Sequence, residues 1–129
     1  MNELNELNEL NKLIDHYIAI WNETDAERRR ALIALAWTED ACYRDPLMQA
    51  DGHAGIDAMV AGVQQRFPAH RFRRVGAVDA YHDRVRFAWA LAPLEQGAPG
   101  AMHAQGTDFG TVLDGRLQSV TGFLDPADA

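Results

Sequence analysis

The chain has 129 residues, of which 47% are hydrophobic and 24% are charged, and its formal net charge at pH 7 is −7. This length and composition predict one globular domain over residues 1–129 with one hydrophobic core. The acidic balance argues against general nucleic-acid binding, because phosphate backbones are bound by basic faces. A single cysteine excludes an internal disulfide and a cysteine-rich zinc site.

Membrane insertion and secretion are not indicated by the sequence. No apolar run is long enough to span a bilayer. The N-terminus repeats Asn-Glu-Leu three times over residues 2–10, and it lacks the basic start and apolar core of a secretory signal. We therefore expect a cytoplasmic protein that does not interact with membranes.

A first amphipathic helix is predicted by apolar residues at spacings of three and four from Leu4 to Trp21. Residues 1–9 are expected to be a frayed extension of this helix, and a short coiled-coil seam is the alternative. Tyr17 lies on the apolar stripe, one turn before Trp21. A buried tyrosine needs either a hydrogen-bond partner or a cavity for its hydroxyl group.

A second helix is predicted after Thr24, because residues 24–27 match a capping box with Thr24 as the N-cap. We expect the helix to end at residues 38–40. The arginines at 28–30 should face solvent or pair with the acidic first helix. The predicted buried side consists of Leu32, Ile33, Leu35, Ala36 and Trp37.

A short strand is predicted over residues 41–46, where Pro46 ends it. Alternation places Ala41, Tyr43 and Asp45 on one face of this strand. An aspartate before proline commonly opens a turn. The local sequence therefore leaves two alternatives for Asp45, a turn residue or a site residue.

The middle of the chain predicts a short strand or loop over 47–51, a third helix that Pro68 ends, and a pair of strands. The strands cover 70–78 and 84–91, with a turn near 79–83, and a surface loop follows over 92–100. The third helix carries an apolar stripe of Ile56, Met59, Val60, Val63 and Phe67. In the simplest register of the strand pair, four arginines crowd one face: Arg71, Arg73, Arg84 and Arg86.

The last hairpin is predicted from Asp114-Gly115, which are residue types that tolerate the positive φ of tight turns. Asp108 lies in the middle of the preceding strand, where aspartate is uncommon. It therefore points either into water or into a pocket. Helices early in the chain and antiparallel strands late predict an α+β domain with the helices on one face of the sheet.

Four motifs follow one another along the chain: His16-Tyr17-Ile18-Ala19, Tyr43-Arg44-Asp45-Pro46, Gly52-x-x-Gly-Ile56 and Gly106-Thr107-Asp108-Phe109. In this order they resemble the nuclear transport factor 2-like (NTF2-like) superfamily, and especially its SnoaL-like polyketide cyclases and ketosteroid isomerases. The similarity extends from about Leu10 to Asp125. It implies a cone-shaped α+β fold, in which three N-terminal helices pack on a strongly curved mixed or antiparallel sheet.

The resemblance also implies catalytic roles for three residues. Tyr17 and Asp108 match the tyrosine and aspartate that hold the substrate oxyanion in ketosteroid isomerases, and Asp45 matches the aspartate that moves the proton. In SnoaL-like cyclases, the acid/base aspartate is similar in position to Asp108. Arg44 and Val60 depart from the isomerase pattern. Val60 stands where a supporting tyrosine is found, which argues against efficient steroid isomerisation.

The resulting hypothesis is an enzyme that moves a proton on a small apolar carbonyl compound, as an isomerase, a cyclase or a dehydratase. The second hypothesis is a ligand-binding module without catalysis, and the third is a purely structural dimer. We expect a homodimer in each case. The expected pocket wall is Trp21, Trp37, Tyr43, Met59, Val60, Val63, Phe87, Trp89 and Val120.

We expect neither a cofactor nor a metal. The five histidines have no metal-ligand spacing, and they are His16, His53, His70, His82 and His103.

Overall fold

The computed structural model of the protein describes residues 3–94 and 104–125, with side chains from residue 6 onward. Three helices, α1, α2 and α3, span Glu3–Asn22, Ala26–Ala36 and Gly52–Arg66. Six strands, β1 to β6, span Trp37–Arg44, Gln49–Asp51, His70–Tyr81, Arg84–Pro93, Ala104–Leu113 and Arg116–Leu124. The later part of the predicted surface loop, from residue 95, and His103 lie outside the described residues.

The strands form one sheet in the order β2-β1-β6-β5-β4-β3. β1 and β6 run parallel, and every other neighbouring pair is antiparallel. Irregular registers in β1–β6, β3–β4 and β5–β6 bend the sheet, because an extra residue in one strand increases local twist. The predicted α+β fold with a curved mixed sheet is confirmed.

Helix α1 lies along the inner face of the sheet and buries the predicted apolar stripe from Leu13 to Trp21, whereas Leu7 is 42% exposed. Ile14 and Tyr17 are 0% and 2% exposed. The Asn22 side chain joins the end of the helix to β3, since it donates to the Phe72 carbonyl at 2.9 Å and accepts from the Phe72 N–H at 2.8 Å. The helix begins at Glu3, and residues 1–2 of the expected frayed extension lie outside the described part.

Helix α2 differs from the prediction at both ends. Its N-cap is Asp25 rather than Thr24, because the Asp25 carboxylate accepts from the Glu27 N–H at 2.9 Å. The helix ends at Ala36, and Trp37 begins β1, which pairs with β6. Leu35, which was predicted to be buried, is 56% exposed. Trp37 pairs with Leu117, which is 80 residues further along the chain. Because the helix ends where this distant pairing begins, the sequence around residue 36 gives no local signal for its end.

Arg29 corrects the expectation that the arginines of α2 are solvated or paired with α1. It is 5% exposed, and its Nε lies 2.6 Å from Asp57 Oδ1 on α3. The same guanidinium donates to the Glu23 carbonyl and to Gln64 Oε1 at 3.0 and 3.2 Å. Hydrogen-bonded pairing of this kind is what makes a buried charge tolerable, and here it joins α2 to α3.

The β3–β4 hairpin places the four arginines on its outer face as expected, but at its two ends rather than crowded together. Gly76 has a φ of +74°, and the register shifts between Val75 and Asp79. Arg86 consequently lies opposite Asp79 and donates to its carboxylate at 2.5 Å. Arg71 and Arg73 lie opposite alanines at the other end of the hairpin.

The predicted turn at Asp114-Gly115 is confirmed. Their φ values are +52° and +80°, as a tight turn between β5 and β6 requires. This turn aligns Asp108 with Gly122 on the neighbouring strand.

Candidate active site

A cavity of about 260 Å³ lies between the inner face of the sheet and helices α1 and α3. Its wall is mainly apolar. The floor is formed by Tyr17, Tyr43 and Asp108, which are at most 4% exposed. The rim includes Leu47, which is 72% exposed, and Arg66, which is also exposed. This volume is slightly below the range of about 300–1,000 Å³ typical of small-molecule sites.

Asp108 reaches the floor because β5 alternates. Gly106, Asp108 and Gly110 are buried on the inner face of the strand. The Asp108 carboxyl group receives two hydrogen bonds, from the Tyr17 hydroxyl to Oδ2 at 2.8 Å and from the Trp89 indole N–H to Oδ1 at 3.0 Å. Three elements, α1, β4 and β5, therefore hold one carboxyl group in place.

The ionisation of Asp108 is shifted by this setting. Burial raises the pKa of its carboxyl group from 3.8 to about 6, because the ionised form loses its hydration. The hydrogen bonds from Tyr17 and Trp89 act in the opposite direction, and the nearby charge of Asp45 adds to the rise. Burial, followed by the Asp108 charge, raises the pKa of Tyr17 well above its usual value, so Tyr17 keeps its O–H.

The Trp89 hydrogen bond determines which oxygen of Asp108 can hold a proton. An indole N–H only donates, so Oδ1 accepts whether or not the carboxyl group is ionised. The proton of neutral Asp108 therefore belongs on Oδ2, beside the Tyr17 oxygen. The neutral pair has one O–H left for a ligand oxygen, whereas the ionised pair uses the Tyr17 O–H internally.

A second carboxylate, that of Asp45, also lines the cavity. Its Oδ2 accepts from the Tyr43 hydroxyl at 2.6 Å. Its Oδ1 accepts from the backbone N–H groups of Leu47 and Met48 at 2.8 and 2.9 Å. Asp45 thus opens the turn after β1 and also faces the cavity, so a turn position does not exclude a site role. Burial, then the Asp108 charge, raises the pKa of Tyr43 above its usual value.

Gly122 allows the two carboxylates to approach one another. A Cβ atom at this position would lie 2.8 Å from Asp108 Oδ1, 3.3 Å from Asp45 Cβ and 3.4 Å from the Tyr43 hydroxyl oxygen. Gly106 has a similar role beneath the indole that binds Asp108, because its Cβ would lie 2.7 Å from Trp89 Cζ2. Both glycines make room for the floor of the cavity.

The SnoaL-like domain family matches residues 14–120, which include the floor residues and most of the cavity wall. The chain belongs to the SnoaL-like family. A SnoaL-like family protein from Agrobacterium tumefaciens, provisionally described as an isomerase, is 40% identical, with a TM-score of 0.84. The alignment covers 92% of this chain and 99% of that one. No curated protein matches the sequence.

More distant solved structures share the fold of this SnoaL-like protein. One is provisionally described as a ketosteroid isomerase from Kribbella flavida, at 19% identity and a TM-score of 0.69, covering 96% of this chain and 83% of that one. Another is provisionally described as a SnoaL-like polyketide cyclase from a Jannaschia species, at 16% identity and a TM-score of 0.66, covering 89% and 86%. The predicted resemblance to this group is confirmed.

The structure brings together the three residues to which the resemblance assigns catalysis. Tyr17, Asp45 and Asp108 all line the cavity of this SnoaL-like domain. Four of the nine expected wall residues join them: Trp21, Tyr43, Val63 and Trp89.

The other five expected wall residues are not brought to the cavity. Trp37, Val60, Phe87 and Val120 are at most 1% exposed and belong to the core cluster behind the floor. Phe87 packs edge-on against the Tyr17 ring, with the ring centroids 5.4 Å apart. Met59 lines an outer groove beside β2, which shares four residues with the rim of the cavity: Leu47, Met48, Val63 and Arg66. An inward-facing apolar residue can either line the cavity or pack in the core layer behind the cavity wall. Helical or strand periodicity predicts the inward face but not which of these two layers a residue joins.

Several wall residues were not predicted from the sequence. Their side chains reach the cavity from the turn after β1, from the end of α3 and from strands β3, β4 and β6. Among them, Phe72 carried a signal in the sequence, because it alternates with Arg71 and Arg73 and is therefore expected on the opposite, inward face of its strand. These residues are Leu47, Met48, Arg66, Phe72, Leu91 and Leu124.

The described residues contain no group of three or more His, Cys, Asp or Glu side chains placed to hold a metal ion. His53 faces away from the cavity, and its Nε2 lies 3.0 Å from the carbonyl oxygens of Trp37 and Thr38. Within the described ranges, no helix is long and apolar enough to cross a membrane.

Proposed function

We propose that this SnoaL-like protein is an enzyme that transfers a proton on a small, largely apolar carbonyl compound. The observation that carries the proposal is the buried Asp108 carboxyl group, which hydrogen-bonds Tyr17 on the floor of a cavity that also holds Asp45. Removing a proton beside a carbonyl group forms an enolate, and preplaced donors at its oxygen lower the barrier. The membership in a family with isomerase and cyclase relatives is in keeping with this chemistry.

The proposed roles follow from the hydrogen bonds. The neutral Tyr17–Asp108 pair donates one O–H to the substrate carbonyl oxygen, which becomes the oxyanion. The Asp45 carboxylate accepts the proton from the adjacent carbon and returns it to another position. With a pKa of about 6, Asp108 is neutral in about one molecule in ten at pH 7 and in about half of the molecules at pH 6, and this neutral fraction serves as the donor. A burial-raised carboxyl pKa is a known means of keeping such a donor protonated.

Proton exchange with solvent tests this proposal without knowledge of the natural substrate. In deuterated water, the wild-type protein should replace the α-protons of 4-phenyl-2-butanone, as followed by NMR. Asp108→Asn and Asp45→Asn should each slow the exchange by about 100-fold, because the first removes the carboxylic O–H of the donor pair and the second removes the base. Asp83→Asn, in the exposed turn between β3 and β4, is the matched control and should exchange like the wild type.

A ligand-binding module is the second candidate, and one observation favours it. Both tyrosine hydroxyl groups of the floor donate to carboxylates of the protein rather than into the cavity. Binding of the ketone without exchange above the buffer rate would favour this candidate and reject the enzyme.

A further inference from the structure

The charged residues of the cavity are separated by depth. Asp108 is at the floor, and Arg66 lies at the exposed rim. Asp45 is half-buried between them, since it lies beside Gly122 and its carboxylate accepts from the N–H of the rim residue Leu47. Arg66 is the one cation among the described residues that line the cavity. Apolar side chains such as Val63 and Phe72 line the space between the two ends. The cavity therefore has an acidic floor, an apolar middle and a cationic rim.

Arg66 has no partner within the described part of the chain. It forms no ion pair or hydrogen bond there, although two carboxyl groups line the same cavity. Most other described arginines pair, as Arg29 does with Asp57 and Arg44 does with Asp51. Arg66 is in the last turn of α3, where a cation is favourable to the helix dipole. The helix dipole explains why a cation is favourable in the last turn of α3, but it does not explain why the Arg66 side chain lies at the mouth of the cavity.

We propose that the substrate is a small carbonyl compound that carries a carboxylate at the end opposite its reacting carbonyl group. The carboxylate would bind the planar guanidinium of Arg66, whose fork of donors matches it. In this orientation, the anion lies at the rim, away from the acidic floor, and the carbonyl group reaches Tyr17. The inference rests on the proposed function, and it names the substrate class of the same site.

The position of Arg66 on the helix supports this orientation. Arg66 follows Val63 by three residues, so the two side chains lie on neighbouring turns of one face of α3. Val63 is 8% exposed and lines the cavity, and Arg66 lies one turn closer to solvent. The helix thus presents an apolar contact and then a cationic contact to a ligand that extends outward from the floor.

The test compares two ligands of equal shape and different charge, 4-oxo-4-phenylbutanoate and 4-oxo-4-phenylbutanamide, by isothermal titration calorimetry at low salt. The wild type should bind the anion more tightly than the amide. Arg66→Gln should weaken binding of the anion about threefold to tenfold, as expected for a charged hydrogen bond at an exposed site, and leave the amide unchanged. Arg66→Lys should retain part of the preference.

Arg73→Gln is the matched control, because Arg73 is an exposed arginine of β3 and the substitution changes the net charge equally. It should leave both affinities unchanged. Equal weakening by Arg66→Gln and Arg73→Gln, or equal binding of both ligands by the wild type, would overturn the inference while the proposed function stands. Failure of both ligands to bind would overturn the inference and would also count against a carbonyl-binding cavity.

Discussion

Tyr17 and Asp108 are 91 positions apart in the chain, and their side-chain oxygens lie 2.8 Å from each other. The first helix supplies the phenol and the fifth strand supplies the acid. Trp89 approaches from the fourth strand and donates to the other carboxyl oxygen. Because Trp89 donates to Oδ1, the titrating proton of Asp108 is on Oδ2, beside the Tyr17 hydroxyl group. The neutral pair therefore has an O–H to donate to a ligand, and the ionised pair does not.

The raised pKa of Asp108 predicts a pH-dependent stability. The folded state favours the protonated carboxyl group, so this stabilisation is complete below about pH 4 and is lost as the pH rises through about 6. Asp108→Asn removes the ionisation. Relative to the wild type, this variant should therefore gain about 2 kcal/mol in free energy of unfolding between pH 4 and pH 7. Urea unfolding at the two pH values measures the difference, and a constant difference would contradict the assigned burial of the charge.

The two donors to Asp108 should each lower its pKa in solution. Tyr17→Phe and Trp89→Phe each remove one donor to the carboxylate, so each should raise the Asp108 pKa above its wild-type value. Carbon-detected NMR titration of the carboxyl group gives the value directly. Trp37→Phe is the control, since the Trp37 indole N–H is buried without a hydrogen-bond partner among the described residues and should leave the pKa unchanged. A lowered pKa in either test variant would refute the hydrogen bonds.

Gly122 should not tolerate a side chain. In Gly122→Ala, the new Cβ would lie 2.8 Å from Asp108 Oδ1, and the carboxyl group must move. We expect a loss of about 1–3 kcal/mol in free energy of unfolding and a loss of proton exchange. Gly62→Ala is the control on α3, where a Cβ meets nothing within 4 Å, and it should stabilise the helix by about 0.5–1 kcal/mol. Unchanged exchange in Gly122→Ala would show that the floor is less tightly packed than described.

The expected homodimer stays a prediction, and the outer face of the sheet is its proposed interface. Phe109 and Phe123 are 43% and 56% exposed there, with their ring centroids 5.8 Å apart. Adjacent exposed aromatic rings are typical of interaction surfaces. Light scattering should show a dimer, and Phe109→Lys should shift it toward monomer. Leu35→Lys, at an equally exposed position on α2, should not shift it. A wild-type monomer at micromolar concentration would reject the homodimer.

Local patterns in the sequence were sufficient to predict the apolar stripe of α1 and the tight turn between β5 and β6. The periodicity around Tyr17 and the residue types at Asp114-Gly115 depend on neighbours within a few positions, and both predictions are confirmed. The end of α2 could not be found in this way. Residues 37–40 are extended because β1 pairs in parallel with β6, which is a contact between distant parts of the chain.

The candidate site was predicted through the family resemblance rather than through spacing. The resemblance named Tyr17, Asp45 and Asp108, and the structure places them around one cavity. It did not indicate the bond from Tyr43 to Asp45 or the bond from Trp89 to Asp108, since both depend on how neighbouring strands align. Helical spacing also could not separate wall residues from the core layer behind them.

The pH dependence of α-proton exchange shows whether the neutral or the ionised Tyr17–Asp108 pair is the active form. The neutral Tyr17–Asp108 pair donates to the oxyanion, so the rate of exchange of 4-phenyl-2-butanone, corrected for buffer, should fall as the pH rises through about 6. Above that pH, it should fall about tenfold for each pH unit. A rate that rises through pH 6, or one that is equal in the wild type and Asp108→Asn at every pH, would contradict the account.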